Sequence, residues 1–230
     1  MKTVLITGAN RGIGFEHVRA FVARGILVYV AVRSPKDAEE LQALATANRG
    51  LITVLVYDAA NPDSALQLKA ALGNAPLDLL LANAGAMGGS KQSFGAVDVE
   101  DVMQLVRINS LAPLKLAEAL ADNVARSDRK LIAFQSSLMG SIGDSSRGYY
   151  AYRVSKAALN MVAKGVSNDL KSRGIIVVTM HPGWVKTRMG GAGAPLTVEQ
   201  SVTGQQRLLD SLSMKDTGHF FNYDGKELPW

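Results

Sequence analysis

Tyr152 and Lys156 stand four residues apart in a segment of good helix formers, so a helix would bring a phenol and an ammonium onto one face. A tyrosine near pKa 10 is a poor acid–base catalyst at neutral pH, and a neighbouring Lys⁺ favours its phenolate. Tyr149 and Tyr150 compete for the role, but the residues four further on are Arg153 and Val154, so Tyr152 alone has the lysine. Upstream, an apolar run ends in Gln135-Ser136-Ser137-Leu138-Met139-Gly140. A hydroxyl there, from Ser136 or Ser137, could hydrogen-bond a substrate oxygen and polarise a carbonyl. The chemistry these three types suggest is proton transfer to an activated carbonyl oxygen, with Tyr152 as donor.

A second constellation lies near the N-terminus. Gly8, Asn10, Arg11, Gly12, Ile13 and Gly14 follow a short apolar run and open a helical one. Glycines there permit a tight turn and let a pyrophosphate approach the backbone, where helix N-terminal N–H groups and the helix dipole attract it. Sites that prefer NAD hold an acidic residue about 20 residues beyond such a loop. Here Gly25 through Pro35 contains no Asp or Glu, while Arg33 ends the second apolar run and Arg11 lies in the loop itself. Two guanidinium groups could grip a 2′-phosphate, so NADP(H) is expected over NAD(H).

The elements that must position these residues are legible as alternation. Apolar runs at Thr3–Thr7, Leu27–Val32, Leu51–Tyr57, Leu77–Leu81, Lys130–Phe134, Ile175–Met180 and Gly218–Phe221 read as seven strands buried on both faces. Helical spacing fills Gly12–Arg24, Pro35–Asn48, Asp63–Leu72, Val99–Ala125, Tyr149–Arg173 and Thr197–Leu212. Ser34-Pro35, Asn61-Pro62 and Asp98 are expected caps for the helices that follow. Parallel strands need right-handed crossovers, so a Rossmann-type, doubly wound α/β fold is predicted: a seven-stranded parallel sheet in three αβα layers, as one domain over residues 1–230. Ligands on such sheets bind beyond the carboxyl ends of the strands.

The glycine spacing G-x-x-x-G-x-G, the Asn83-Ala84-Gly85 turn and the Tyr152–Lys156 pair together resemble the short-chain dehydrogenase/reductase family, over the entire chain and in the same order. The Tyr150-Ala151-Tyr152-Arg153 context, Asn222-Tyr223-Asp224-Gly225 and the terminal Leu228-Pro229-Trp230 resemble its C-factor-like and sniffer-like carbonyl reductase branch. The resemblance implies hydride transfer between NADP(H) and a carbonyl or alcohol. It implies the second serine of the pair, Ser137, as the substrate-facing hydroxyl with Ser136 as the alternative, an adenine contact at Asp58 with Ala59 beside it, and a lysine, Lys156, that also holds the nicotinamide ribose. By the same resemblance, Asn109 bends its helix and holds a water in a proton relay to Lys156. Pro182, Gly183, Val185 and Thr187 form a turn in which a valine backbone and a threonine contact the nicotinamide carboxamide. A mobile lid is expected at about 186–200, where Gly190-Gly191-Ala192-Gly193 is the flexible-looking stretch. Ala82 departs from a commoner asparagine. The segment Asp144–Gly148 lengthens the interval between Ser137 and Tyr152 to fifteen residues and is expected to shape the substrate pocket.

Composition excludes several other classes. The chain has no cysteine, so disulfide frameworks and thiolate metal sites are impossible, and no partner for His181 marks a metal site. No apolar run approaches the roughly 18 residues of a membrane span. The net charge of +5 is scattered and not interleaved with aromatics, which argues against nucleic acid as a partner. A soluble, cytoplasmic enzyme is expected. Apolar stripes on the two longest helices suggest a homo-oligomer, dimer or tetramer. A cofactor-binding regulatory protein is the alternative reading, and an epimerase or dehydratase on a related fold ranks last because such enzymes carry a larger C-terminal domain.

Overall fold

In the computed structural model, which describes residues 1–230, strand and helix alternate from end to end. The strands are β1 (Thr3–Thr7), β2 (Leu27–Val32), β3 (Ile52–Val56), β4 (Leu79–Ala82), β5 (Leu131–Gln135), β6 (Ile176–His181) and β7 (Phe220–Asn222). All pair in parallel in the order β3-β2-β1-β4-β5-β6-β7. The chain runs outward from β1 to β3 and then returns to β4, so the order reverses between β1 and β4 and leaves a crevice beyond their carboxyl ends.

Strand residues alternate between two cores. Val4, Ile6, Val28, Leu79, Leu81 and Met180 pack against α1 (Gly12–Ala23), α2 (Glu39–Ala47) and α7 (Val198–Ser211) through Val18, Phe21, Leu41, Leu208 and Leu209. Leu5, Leu80, Ile132, Phe134 and Val177 pack against α3 (Ser64–Leu72), α5 (Ala112–Ala125) and α6 (Tyr150–Leu170) through Leu68, Leu116, Leu120 and Leu159. Burial on both sides explains why these strands read as unbroken apolar runs. Each full burial of a Leu, Ile or Val side chain is worth about 1.5–3 kcal/mol.

The predicted strands sit within two residues of the observed ones, and three helical expectations change. The Pro35–Asn48 segment splits into a 3₁₀ turn, Pro35–Asp37, and α2, because Ala38 leaves helical angles at φ −101°, ψ 64°. The Val99–Ala125 segment divides into α4 (Val99–Val106), a π-helical turn Arg107–Leu111, and α5. Tyr149 adopts a left-handed φ of 54° and stands outside α6. Asp98 does cap α4, accepting from the Glu100 and Asp101 amides, whereas the Ser34 side chain caps nothing. Asn61 instead accepts from Asp63 N at 3.0 Å in a turn ahead of α3. No helix is long and apolar enough to cross a membrane.

Candidate active site

The crevice is built first by backbone. Gly8 takes φ +65°, and a Cβ on it would lie 2.7 Å from Ala84 Cα, so the first loop and the Asn83-Ala84-Gly85 turn touch without room for a side chain. Asn83 stitches the contact, donating from Nδ2 to the carbonyls of Thr7 (2.9 Å) and Gly8 (3.2 Å), while Thr7 Oγ1 accepts from the Asn83 and Ala84 amides. Gly14 lets Asn83 in: its Cβ would fall 2.6 Å from Asn83 Nδ2.

The same loop leaves the N-terminus of α1 open. Its first turn, Gly12-Ile13-Gly14, has no acidic residue and no side-chain cap, in contrast to α4 with Asp98 and α7 with its Thr197–Gln200 capping box. Uncapped N–H groups at the positive end of the dipole suit an anion. Arg11, Arg33 and Arg188 gather beside it without an acidic partner. Burial first, then the charges of Arg188 and Arg33, pull the Arg11 guanidinium below its ordinary pKa. Across the crevice Thr187 Cγ2 stands 3.7 Å from where a Gly12 Cβ would be. The glycine cradle, the open helix end and three arginines fit a phosphorylated dinucleotide; Asp58 and Ala59 follow β3, and Asn10 and Ile13 lie in the loop itself. Asp58 Oδ1 accepts from Ala60 N, and its backbone amide donates to Ser64 Oγ, so its carboxylate belongs to a local turn.

The side-chain half of the site lies on α6 and the end of β5. Tyr152 and Lys156 are buried, at 7% and 4% exposure, whereas Tyr149 and Tyr150 are exposed, at 52% and 39%. The three tyrosines are thereby separated by geometry as well as by spacing. Gly140 closes the packing, since a Cβ there would meet the Lys156 backbone at 2.7 Å. Lys156 Nζ donates to Gln135 O at 2.9 Å and lies 5.9 Å from the Tyr152 ring centre. Burial pushes the Tyr152 phenol up to about 12, and the Ser137 hydroxyl pulls it partly back; burial pushes the Lys156 ammonium down to about 8.

The two serines separate equally cleanly. Ser136 Oγ donates to Asn160 Oδ1 at 2.6 Å, and Asn160 Nδ2 donates to Gly140 O, which locks Ser136 into the scaffold. Ser137 Oγ accepts from Met139 N at 3.2 Å, donates to no scaffold group and lies beside the Tyr152 phenol. Asn109 sits in the π turn, fully buried. Its Oδ1 accepts from Ala86 N, and its Nδ2 donates to Ala86 O and Ser155 Oγ, each at 2.8–2.9 Å. Its side chain is therefore a brace between the Asn83–Gly85 turn and α6. A Cβ on Gly85 would lie 3.2 Å from Asn109 Oδ1 and 3.6 Å from Lys156 Nζ, so the brace and the ammonium both approach the bare face of the turn at Gly85.

Gln92 and Arg188 belong to the site and escaped the sequence. Gln92 is buried; its Oε1 accepts from Tyr152 N at 2.9 Å, and its Nε2 donates to Met87 O and Gly89 O. It caps the first turn of the helix that carries the phenol. Opposite, Gly183 (φ +81°) lets Leu196 and Tyr223 close on the Pro182–Thr187 turn, and Val185 pairs with Leu196 in a short parallel bridge. The expected lid thus begins as a pinned loop: Trp184 Nε1 donates to Gly190 O and Gly190 N to Thr187 Oγ1. Arg153 ties Gly148 and Met139 together, anchoring the Asp144–Gly148 segment on α6.

Residues 2–194 match the family model described as short chain dehydrogenase. The chain is 41% identical over 156 residues to C-signal of Myxococcus xanthus, covering 67% of this chain and 93% of that one. Among solved structures it is similar to carbonyl reductase Sniffer of D. melanogaster, with 36% identity, a TM-score of 0.92 and full coverage of both chains. It is likewise similar to NADPH-bound carbonyl reductase from chicken fatty liver, with 34% identity, a TM-score of 0.93 and coverage of 100% and 99%. The parallel sheet, the glycine cradle and these matches agree, and the chain belongs to the short-chain dehydrogenase/reductase family, in its C-factor-like and sniffer-like branch.

Proposed function

We propose that the protein is an NADP(H)-dependent carbonyl reductase, with Ser137, Tyr152, Lys156 and Asn109 as its catalytic group. The observation that carries this reading is the Ser137 hydroxyl facing a buried Tyr152 phenol with Lys156 behind it. The bound cofactor would supply the hydride to the carbonyl carbon. Ser137 would donate a hydrogen bond to the carbonyl oxygen, and Tyr152, kept protonated by burial, would deliver the proton to that oxygen. Lys156 favours the phenolate left behind, and its ammonium is the group from which a proton returns. Asn109 acts as a positioning residue within this group, holding Ala86 and Ser155 in register.

Gly8, Asn10, Arg11, Gly12, Ile13 and Gly14 would hold the pyrophosphate, Arg11 and Arg33 a 2′-phosphate, Asp58, Ala59 and the Asn83–Gly85 turn the adenosine side, and Pro182, Gly183, Val185 and Thr187 the nicotinamide. The partner is a small carbonyl or alcohol substrate, reached under a lid over about 186–200. Exposed apolar side chains on α4 and α6, Val99, Met103, Val154 and Met161, support a homodimer. A cytoplasmic location rests on the cysteine-free composition alone.

Following NADPH and NADH absorbance with a panel of aldehydes, ketones and quinones tests the reading; NADPH-selective turnover is expected. Tight NADPH binding without turnover on any of them favours the regulatory reading, whose support is the relative named C-signal.

A further inference from the structure

Between α1 and α7 a chain of polar groups that no step above uses runs inward from the exposed Arg24. Arg24 Nη1 donates to Gln206 Oε1 (2.6 Å), Gln206 Nε2 to His17 Nδ1 (3.1 Å), and His17 Nε2 to Gln205 Oε1 (3.3 Å). Gln205 Nε2 donates to Ser201 Oγ (3.0 Å), and Ser201 donates to the carbonyl of Pro182 (2.6 Å). His17, Ser201 and Gln205 are fully buried.

The direction of every bond is fixed by its ends. A guanidinium can only donate, and a proline carbonyl can only accept. Gln206 must therefore turn its oxygen to Arg24, His17 must carry its proton on Nε2, and Ser201 must aim its hydrogen at Pro182. Five bonds pointing the same way polarise one another. The outer end is held by a second contact, Arg24 Nη2 to Asp210 at 3.0 Å.

Stability does not require this arrangement. The same layer holds Phe21, Leu208 and Leu209, and apolar residues in place of the polar ones would escape their desolvation. What the chain does uniquely is tie a carbonyl in the Pro182–Thr187 turn to the body of α1, the helix whose N-terminus is open to an anion.

We propose that the Arg24–Gln206–His17–Gln205–Ser201 chain is a positioning device that fixes the nicotinamide subsite at Pro182–Thr187 relative to the pyrophosphate subsite at α1. The inference rests on the dinucleotide reading given above. Ser201 and Gln205 are positioning residues, acting through Pro182.

The test compares NADPH with adenosine 2′,5′-bisphosphate, which carries the adenosine half alone, by calorimetric titration of the purified protein. In Ser201→Ala the Kd for NADPH should rise about fivefold or more while that for adenosine 2′,5′-bisphosphate stays within about twofold. Gln205→Met, which keeps the volume and breaks the chain one link further back, should repeat the split. Equal weakening of both ligands, or no weakening of NADPH in either variant, overturns the proposal and leaves the reductase reading standing. A wild-type protein that binds neither NADPH nor NADH overturns both.

Discussion

Between α1 and α7, the buried side chains of Gln206, His17, Gln205 and Ser201 are matched donor to acceptor until a proline carbonyl ends the chain, although on the same side of the sheet the Gln135 amide at the end of β5 has no partner. On the α5–α6 side, Ser136, Asn160 and Asn109 are likewise bonded, but several groups around Tyr152 keep bonding capacity. Lys156 uses one donor, on Gln135 O, and Ser137 Oγ, beside the phenol, accepts from Met139 N and donates to no scaffold group. Thr179 Oγ1 and the His181 Nδ1 at the end of β6 have no partner. Saturated networks hold shape, and groups that must exchange a proton with a ligand cannot be saturated beforehand. The contrast thus divides a fully bonded brace from a few groups left open to a ligand.

That division predicts how substitutions fall. The largest effect belongs to the open groups: Tyr152→Phe should lower turnover about 10³-fold while the Kd for NADPH, from equilibrium titration, stays within about threefold. Turnover near wild type would remove Tyr152 from the chemistry.

Acid should act through one histidine on each face of the sheet. Burial depresses His17 and His181 from 6.5 to about 4, so between those values the unfolded chain binds more protons than the folded one. Stability therefore falls as pH drops from about 6.5 to 4 and is insensitive to these rings above that window. Each ring contributes at most about 3 kcal/mol, readable from urea unfolding at pH 7 and pH 4.5. His17→Gln should flatten its share of the slope, and an unchanged slope would mean that His17 titrates without opening its network.

The cofactor loop is the third test. Arg33→Asp should move the NADPH-to-NADH preference in kcat/KM by about 10²-fold toward NADH, and Arg188→Ala should weaken NADPH about fivefold with little change in NADH. Loss of both cofactors to the same degree would argue that these arginines serve the pyrophosphate instead of a 2′-phosphate.

The smallest effect sharpens the line between bonded and open groups. Gln92→Leu removes the acceptor for Tyr152 N and the donor to Met87 and Gly89, so kcat should fall about tenfold while NADPH affinity holds within about twofold. Thermal unfolding should record a loss of about 1–3 kcal/mol.

What the sequence reveals follows the distance over which each constraint acts. Strands buried on both faces announce themselves as apolar runs, and the Tyr152–Lys156 pair is a matter of one helical turn. Ser136 and Ser137 are neighbours with identical chemistry, and only the 2.6 Å bond to Asn160 tells them apart. Asn109 was legible as a residue out of place in a long helix, but its partners, Ala86 and Ser155, were not. Gln92 lies 60 residues from Tyr152, and His17 lies 188 from Gln205; no local pattern links them. The split of Pro35–Asn48 turns on the angles of a single alanine, Ala38, whose type carries no such instruction.

The three arginines have a consequence for the protein without its ligand. Arg11 is held below its ordinary pKa partly by Arg188 and Arg33, so folding brings like charges together that the unfolded chain keeps apart. A polyanion that binds only the folded chain lifts this self-repulsion and adds its own binding free energy to the fold. Unfolding of the protein should then shift to higher temperature as such a ligand is added, and added salt, which screens the three arginines, should shrink the part of that shift owed to relieved repulsion.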